Sequence, residues 1–424
     1  MACTPGLLSA AAAESCIFSL LQPLNSQHDR ENLPLSQCKG RILAETVLSP
    51  LDFPHWDNSA MDGYAVIGAD LATASAENSI SLTISQEIPA GTVPTTALQP
   101  GEAARLFTGA MLPLGADTVV MQEQAERSGD RVTFTSAPEP GAWVRKRGTF
   151  HQAGQPLLPA GIRLGAPDLA ILAAAQCATV PVYRKLRVAI LSTGDELVGV
   201  DQPLGPGQIV DSNRYALAAL VEEAGAIAQV WEPIPDDRSA LTAAITAAGQ
   251  TFDVILSSGG VSVGDYDYID QILTELGAEL AIRSVAVKPG KPLTVATFKP
   301  GSSPDRPCLY FGLPGNPVSS TVSFWRFVQP ALRRLGGEAG ATCRWLSLPT
   351  TAGLKSGGDR ETYVWGRLVT QETDQGLALA FSPALGQQNS ANLINLAQTQ
   401  ALGVVPTGIE EITAGSIVRV LWVG

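Results

Sequence analysis

Residues 187–197, Arg-Val-Ala-Ile-Leu-Ser-Thr-Gly-Asp-Glu-Leu, and residues 253–264, Asp-Val-Ile-Leu-Ser-Ser-Gly-Gly-Val-Ser-Val-Gly, share one pattern: a short apolar run that breaks into Ser, Thr and Gly. Each run is too short for a helix, so it reads as a buried strand ending in a tight turn. Between them, Arg214–Ala224 is apolar at helical spacing, preceded by Asp211-Ser-Asn and stopped by Gly225, which predicts a capped helix. A strand at 227–232 and a helix at 238–248 complete the interval. Downstream come helix 267–276, a turn, strands near 293–298 and 308–311, and helix 317–335 with Pro317 in its first turn. This alternation predicts a parallel sheet with helices on both faces, a doubly wound α/β domain.

The flanking sequence has a different period. Residues 60–143 hold short alternating segments at Ser79–Ile84, Ala104–Phe107, Thr118–Met121 and Arg131–Phe134, parted by Gly and Pro turns, and read as a small β insert. Residues 7–24 and 166–176 look helical, and a Pro-rich stretch covers 49–54. Short strands return from 345 and end at 416–423 as a C-terminal β domain. The expected fold class is multidomain α/β plus β.

Composition narrows the function. The net charge of −12, without a long basic run, argues against a nucleic-acid surface. It leaves room for a small anionic substrate in a local positive pocket. The cysteines at 3, 16, 38, 177, 308 and 343 form no C-x-x-C pair and read as reduced, mostly buried thiols of a cytoplasmic protein. Three histidines and no H-E-x-x-H leave little for a zinc hydrolase. No signal peptide is expected. The longest apolar stretch, 169–182, is interrupted by Gln176, Thr179 and Pro181 and is too short to span a bilayer.

Three loops fall where strands end and helices begin, the edge at which an open α/β sheet binds its ligand. They are Ser192-Thr193-Gly194-Asp195-Glu196-Leu197, Ser257–Gly264 and Gly312-Leu313-Pro314-Gly315-Asn316-Pro317. Glycines 259, 260 and 264 let backbone amides approach an anion, and Ser257 and Ser262 add hydroxyls. Helix 317–335 offers its positive end near Gly315 and Asn316. Lys288 and Lys291, in Lys-Pro-Gly-Lys-Pro, add full charge. Any one loop is equally well a plain strand-to-helix turn; three at one edge predict a phosphate site. Asp195, Glu196, Asp236, Asp237, Asp265 and Asp267 crowd the same edge, and hard oxygen donors beside phosphate suggest magnesium. Helix capping accounts for Asp211 and for one of Asp236 and Asp237. The polar loop Asp57–Ala65 and Thr108-Gly-Ala read only as turns.

These segments, with Lys288–Pro292, occur in the order seen in molybdopterin molybdenumtransferases, the family of bacterial MoeA and the C-terminal domain of gephyrin, which the whole chain resembles. The resemblance implies a split N-terminal domain (1–59 and 144–182), the β insert (60–143), a molybdopterin-binding α/β domain (183–338) and a C-terminal β domain (339–424). It implies a homodimer whose site joins the α/β domain of one subunit to the β insert of the other. The implied reaction takes adenylylated molybdopterin and molybdate, with Mg2+, to molybdenum cofactor and AMP. The family's functional positions fall on Asp62, Thr108, Glu196, Asp236, Asp267, Lys288 and Ser390; Glu196, Asp236 and Asp267 would hold the metal. Arg360, Ser390 and Thr108 would serve molybdate, and the molybdopterin adenylyltransferase is an implied partner. Three positions depart. Thr149 and Phe150 stand for an acidic pair, and Ser284 and Trp365 for basic residues, with Arg283 and Arg367 as nearby substitutes. Two other readings are an adenylylating relative, against which the long N-terminal region counts, and a non-catalytic scaffold.

Overall fold

The computed structural model describes residues 7–259, 268–303, 306–374, 376–386 and 388–424. The chain forms two compact units. One comprises the residues up to Glu45, Ala160–Gly165 and Thr179–Gly424; the other is Thr46–Pro159 with Ala166–Ala178.

The larger unit is built on a seven-stranded sheet in the order Leu7–Leu8, Glu279–Val285, Pro292–Ser303, Arg306–Leu313, Val254–Ser258, Arg187–Ser192, Ile227–Val230. Strand side chains alternate faces. Val188 and Ile190 therefore enter one core, with helices Ser212–Glu223 and Pro317–Ser323, while Ala189 and Leu191 enter the other, with helices Arg238–Thr251 and Tyr268–Glu275. Burial on both faces explains why these strands are continuous apolar runs.

The last four strands are parallel, as expected, but the sheet is mixed. Pro292–Ser303 runs antiparallel to both Arg306–Leu313 and Glu279–Val285. The connections are too short for the crossover that parallel pairing demands, so hairpins are the available solution. Glu279–Val285 lies where the sequence reading has mainly a turn. The helix expected over 317–335 is α-helix at Pro317–Ser323, a π-turn at Phe324–Val328 and α-helix again at Gln329–Leu335.

A second sheet in this unit carries the C-terminal strands. Its order is Val287–Lys288, Glu361–Thr373, Ala401–Val405, Ile417–Trp422, Arg344–Pro349, with Gly376–Pro383 paired to Glu361–Thr373. The Lys288 segment thus leaves the α/β sheet and becomes the edge of another, with Lys288 opposite Thr362.

The smaller unit contains a six-stranded sheet in the order Thr118–Met121, Gly63–Val66, Glu102–Leu106, Ile80–Ile88, Arg131–Phe134, Ala125–Ser128. Gly63–Val66, within the segment read as a turn, is a fully buried inner strand. A Cβ on Gly63 would lie 2.1 Å from the Val120 carbonyl oxygen, so only glycine fits that crossing. Cys16 is disulfide-bonded, against the expectation of reduced thiols; Cys38, Cys177, Cys308 and Cys343 are free. No helix among the described residues is long and apolar enough to cross a membrane.

Candidate functional site

Strands Arg187–Ser192, Val254–Ser258 and Arg306–Leu313 end side by side, with Ser192 opposite Ser258 and Ser258 opposite Leu313. Their loops are tied together. The Thr193 amide donates to the Ser258 carbonyl (3.0 Å), and the Asn213 side-chain amide donates to Ser258 Oγ (2.6 Å) and to the Gly315 carbonyl (2.8 Å). Gly259 has φ +93°, and a Cβ there would lie 2.4 Å from the Thr193 carbonyl oxygen. A cavity of about 640 Å³ opens over these ties, with Thr193, Glu196, Asp211, Gly259, Gly315 and Asn316 among its walls.

Three of the expected binding residues, Ser257, Pro314 and Gly194, are buried and do not line it. Ser257 is buried, its hydroxyl 2.5 Å from the Tyr310 hydroxyl, because alternation along the strand turns it into the core. Pro314 is buried and lines neither this cavity nor the one described next. Gly194 is also buried, and its lack of a side chain lets the Glu196 carboxylate fold over it: a Cβ there would meet Glu196 Oε2 at 2.6 Å. Gly260, Ser262, Gly264, Asp265 and Asp267 lie outside the described residues.

Of the neighbouring carboxylates, Asp237 takes the capping role, accepting from the Ala240 amide at 2.9 Å. Asp236 is left uncommitted as a cap, and its amide donates to Asp195 Oδ1 at 3.1 Å. Partial burial, and then the charges of Asp195 and Glu196, push the Asp236 carboxyl above its ordinary range. Excess negative charge on hard oxygens is chemistry that suits Mg2+, which is commonly held by one or two carboxylates with substrate phosphates. Among the described residues, no three metal-binding side chains converge.

A second cavity, of about 470 Å³, adjoins the first, with Asn316 in the wall of both. Lys288, Lys291, Lys355 and Arg360 line it, with Ser390. Arg360 reaches Asp359 at 3.0 Å and donates to the Val287 carbonyl at 3.4 Å. Asn316 approaches Ser390 Oγ at 3.5 Å, while the Ser390 carbonyl accepts from the Val318 amide at 3.2 Å. Neither substitute arginine joins this group. Arg283 pairs with Asp270 at 3.2 Å, and Arg367 lines a different cavity beside Leu385 and Ile394. Trp365 is buried, its indole N–H donating to Asn395. Lys355 is the residue that sequence reading missed: it sits on the two-residue strand Leu354–Lys355, with no motif to mark it.

In the smaller unit the structure joins Asp62 and Thr108. The Thr108 hydroxyl and amide both donate to Asp62 Oδ1 at 2.7 Å. These two donors, followed by the charge of Arg105, hold the Asp62 carboxyl below its usual range. Asp57 instead pairs with Lys146 at 2.9 Å. Thr149 bonds the Lys146 carbonyl at 2.7 Å, and Phe150 is exposed.

Three family models match the chain: the MoeA N-terminal region (domain I and II) over residues 8–175, the probable molybdopterin binding domain over 189–334, and the MoeA C-terminal region (domain IV) over 347–423. A molybdopterin molybdenumtransferase of Nostoc sp. is 53% identical over 406 residues, covering 96% of this chain and 91% of that protein. One from Bacillus subtilis is 34% identical over 424 residues, covering 99% of this chain and 94% of that protein. A solved molybdopterin biosynthesis MoeA protein from Pyrococcus horikoshii superposes with a TM-score of 0.81 at 30% identity, over 99% of this chain and 100% of that one.

Proposed function

The chain belongs to the molybdopterin molybdenumtransferase family, and from that premise we propose that it inserts molybdenum into adenylylated molybdopterin, consuming molybdate and releasing AMP. The observation that carries this reading is the pair of adjoining cavities at the carboxyl edge of the sheet, one walled by glycine loops and carboxylates, the other by four cations. The first suits the pterin and its phosphates, which need close backbone amides and, at the anhydride, a divalent cation. The second suits molybdate, a dianion, through Arg360, Ser390 and the lysines.

Glu196 and Asp236 would hold Mg2+, with Asp267 as the further ligand. When bound, Mg2+ would screen the charge that builds on the departing phosphate. Lys288 and Lys291 bind and orient the anionic groups. The substrate's dithiolene sulfurs form the bonds to molybdenum and displace two molybdate oxygens as water, while water replaces AMP at the cleaved anhydride, so no covalent protein nucleophile is required. We read 1–59 with 144–182, 60–143, 183–338 and 339–424 as the domains. Asp62 and Thr108 act across a homodimer from the insert of the second copy. The protein works in the cytoplasm, and the molybdopterin adenylyltransferase hands it substrate.

Incubation with adenylylated molybdopterin, molybdate and Mg2+ tests the reaction. AMP release that depends on molybdate, with formation of the molybdenum dithiolene, is expected; AMP release without molybdate dependence would overturn it. The composite site has its own test. Asp62→Ala and Glu196→Ala homodimers should both be weak, and subunit exchange between them should restore activity. Confirmed exchange without recovery would place both residues in one subunit's site or in none.

A further inference from the structure

Asp211 carries more than its helix requires. It is the N-cap of Ser212–Glu223, with Oδ1 accepting from the Arg214 amide at 3.1 Å. The residue is only 2% exposed, and its second oxygen, Oδ2, has no hydrogen-bond partner among the described residues. The nearest arginine along the helix, Arg214, is engaged with Glu232 at 3.5 Å and lies over the Tyr215 ring. An unpaired buried carboxylate oxygen is costly, and capping alone is served equally well by Asn or Ser, which carry no charge. Asp211 lines the 640 Å³ cavity, as does Thr193, whose buried Oγ1 likewise has no partner among the described residues.

We propose that Asp211 recognises the pyrimidine edge of the pterin, its Oδ2 accepting from the 2-amino group and the adjacent ring N–H, with the Thr193 hydroxyl completing the contact. The inference rests on the placement of the pterin in this cavity proposed above. It adds a specificity residue: a carboxylate pairs with a face that presents N–H donors and rejects a ring carrying an oxo group in place of the amine. The glycine loops alone, which see phosphate, make no such distinction.

Asp211→Asn is the informative variant. Its side-chain oxygen keeps the cap, and its NH2 then stands where Oδ2 stood, donor against donor. Asp211→Ser keeps the cap and removes the group. Anaerobic titration of molybdopterin should show roughly ten- to hundredfold weaker binding in both variants, the scale of a charge-assisted contact, with melting temperatures near wild type. Competition by 6-hydroxymethylpterin and by its lumazine counterpart, in which an oxo group replaces the 2-amino group, separates recognition from structure. Wild type should prefer the pterin, and Asp211→Asn should lose that preference. Wild-type affinity in both variants, or an unchanged preference, would overturn the role of Asp211 while leaving the proposed function standing. A wild-type protein that binds no molybdopterin would remove the cavity assignment itself, and this inference with it.

Discussion

Glu196 and Asp236 share a small patch of negative charge with Asp195, and each carries a distinct expectation. Glu196→Gln keeps shape and removes charge; molybdenum insertion should fall by roughly two orders of magnitude, as for a lost electrostatic group, with the melting temperature unchanged. Normal turnover in that variant would release Glu196 from the site. Asp236 behaves differently because its carboxyl is raised by burial and by Asp195 and Glu196. A raised carboxyl stabilises the fold below its unfolded pKa and loses that contribution as pH rises through the folded value. At neutral pH the charge is therefore a liability, and Asp236→Asn should melt slightly higher than wild type while losing activity. The gain should be under about 1 kcal/mol for a group that is only partly buried and screened by solvent, and should vanish at acid pH. A lower melting temperature at neutral pH would contradict the charge crowding. Stability given up for charge is common where chemistry is done.

At the scale of elements, the loop after Val254–Ser258 was legible because glycine there has a reason that survives in the sequence. Gly259 sits at φ +93°, against the Thr193 carbonyl. Gly259→Ala must displace the Ser192–Leu197 loop, so we expect a loss of about 1–3 kcal/mol by thermal or urea unfolding, together with weaker pterin binding. Unchanged stability would mean that the two loops do not depend on each other. Helix caps were legible for the same local reason: Asp211 and Asp237 each stand directly before an apolar helical period. Strand direction was not legible. Pro292–Ser303 carries the apolar pattern of a sheet strand in either orientation, and only the length of its connections makes it antiparallel. Gly63–Val66 was hidden by the polar residues before it, though its own four residues are buried.

The larger unit is held by contacts between residues far apart in the chain. Arg326, buried inside the π-turn, donates to Tyr363 Oη at 2.9 Å and pairs with Glu14 at 2.9 Å, while the Tyr363 hydroxyl bonds Glu361. One guanidinium thus ties helix Ala10–Leu20 to the strand that pairs with Val287–Lys288. Arg326→Ala strands the buried partners and should destabilise by about 3–5 kcal/mol, measured by chemical unfolding. Binding at the cationic cavity should weaken as well, since Tyr363 lines it. A loss below 1 kcal/mol would show that the cluster is not a tie.

The sequence by itself determined the local features: the period of each strand and helix, the glycine turns at the sheet edge, the caps, and the crowding of Asp and Glu. Each follows from forces acting within a few residues, namely side-chain alternation, cap chemistry and backbone sterics. Tertiary structure alone decided which of these residues meet. Lys288 stands opposite Thr362, and in one cavity wall with Arg360, because its segment joins the C-terminal sheet, and Asn316 reaches Ser390 across a separation of 74 residues. Asp62 and Thr108 meet across 46 residues. Ser257 faces the core while Thr193 lines the cavity, although each stands where an apolar run breaks into Ser and Thr. Such pairings are set by strand register and by the shared burial of distant apolar faces, and those have no signature in any short stretch of chain.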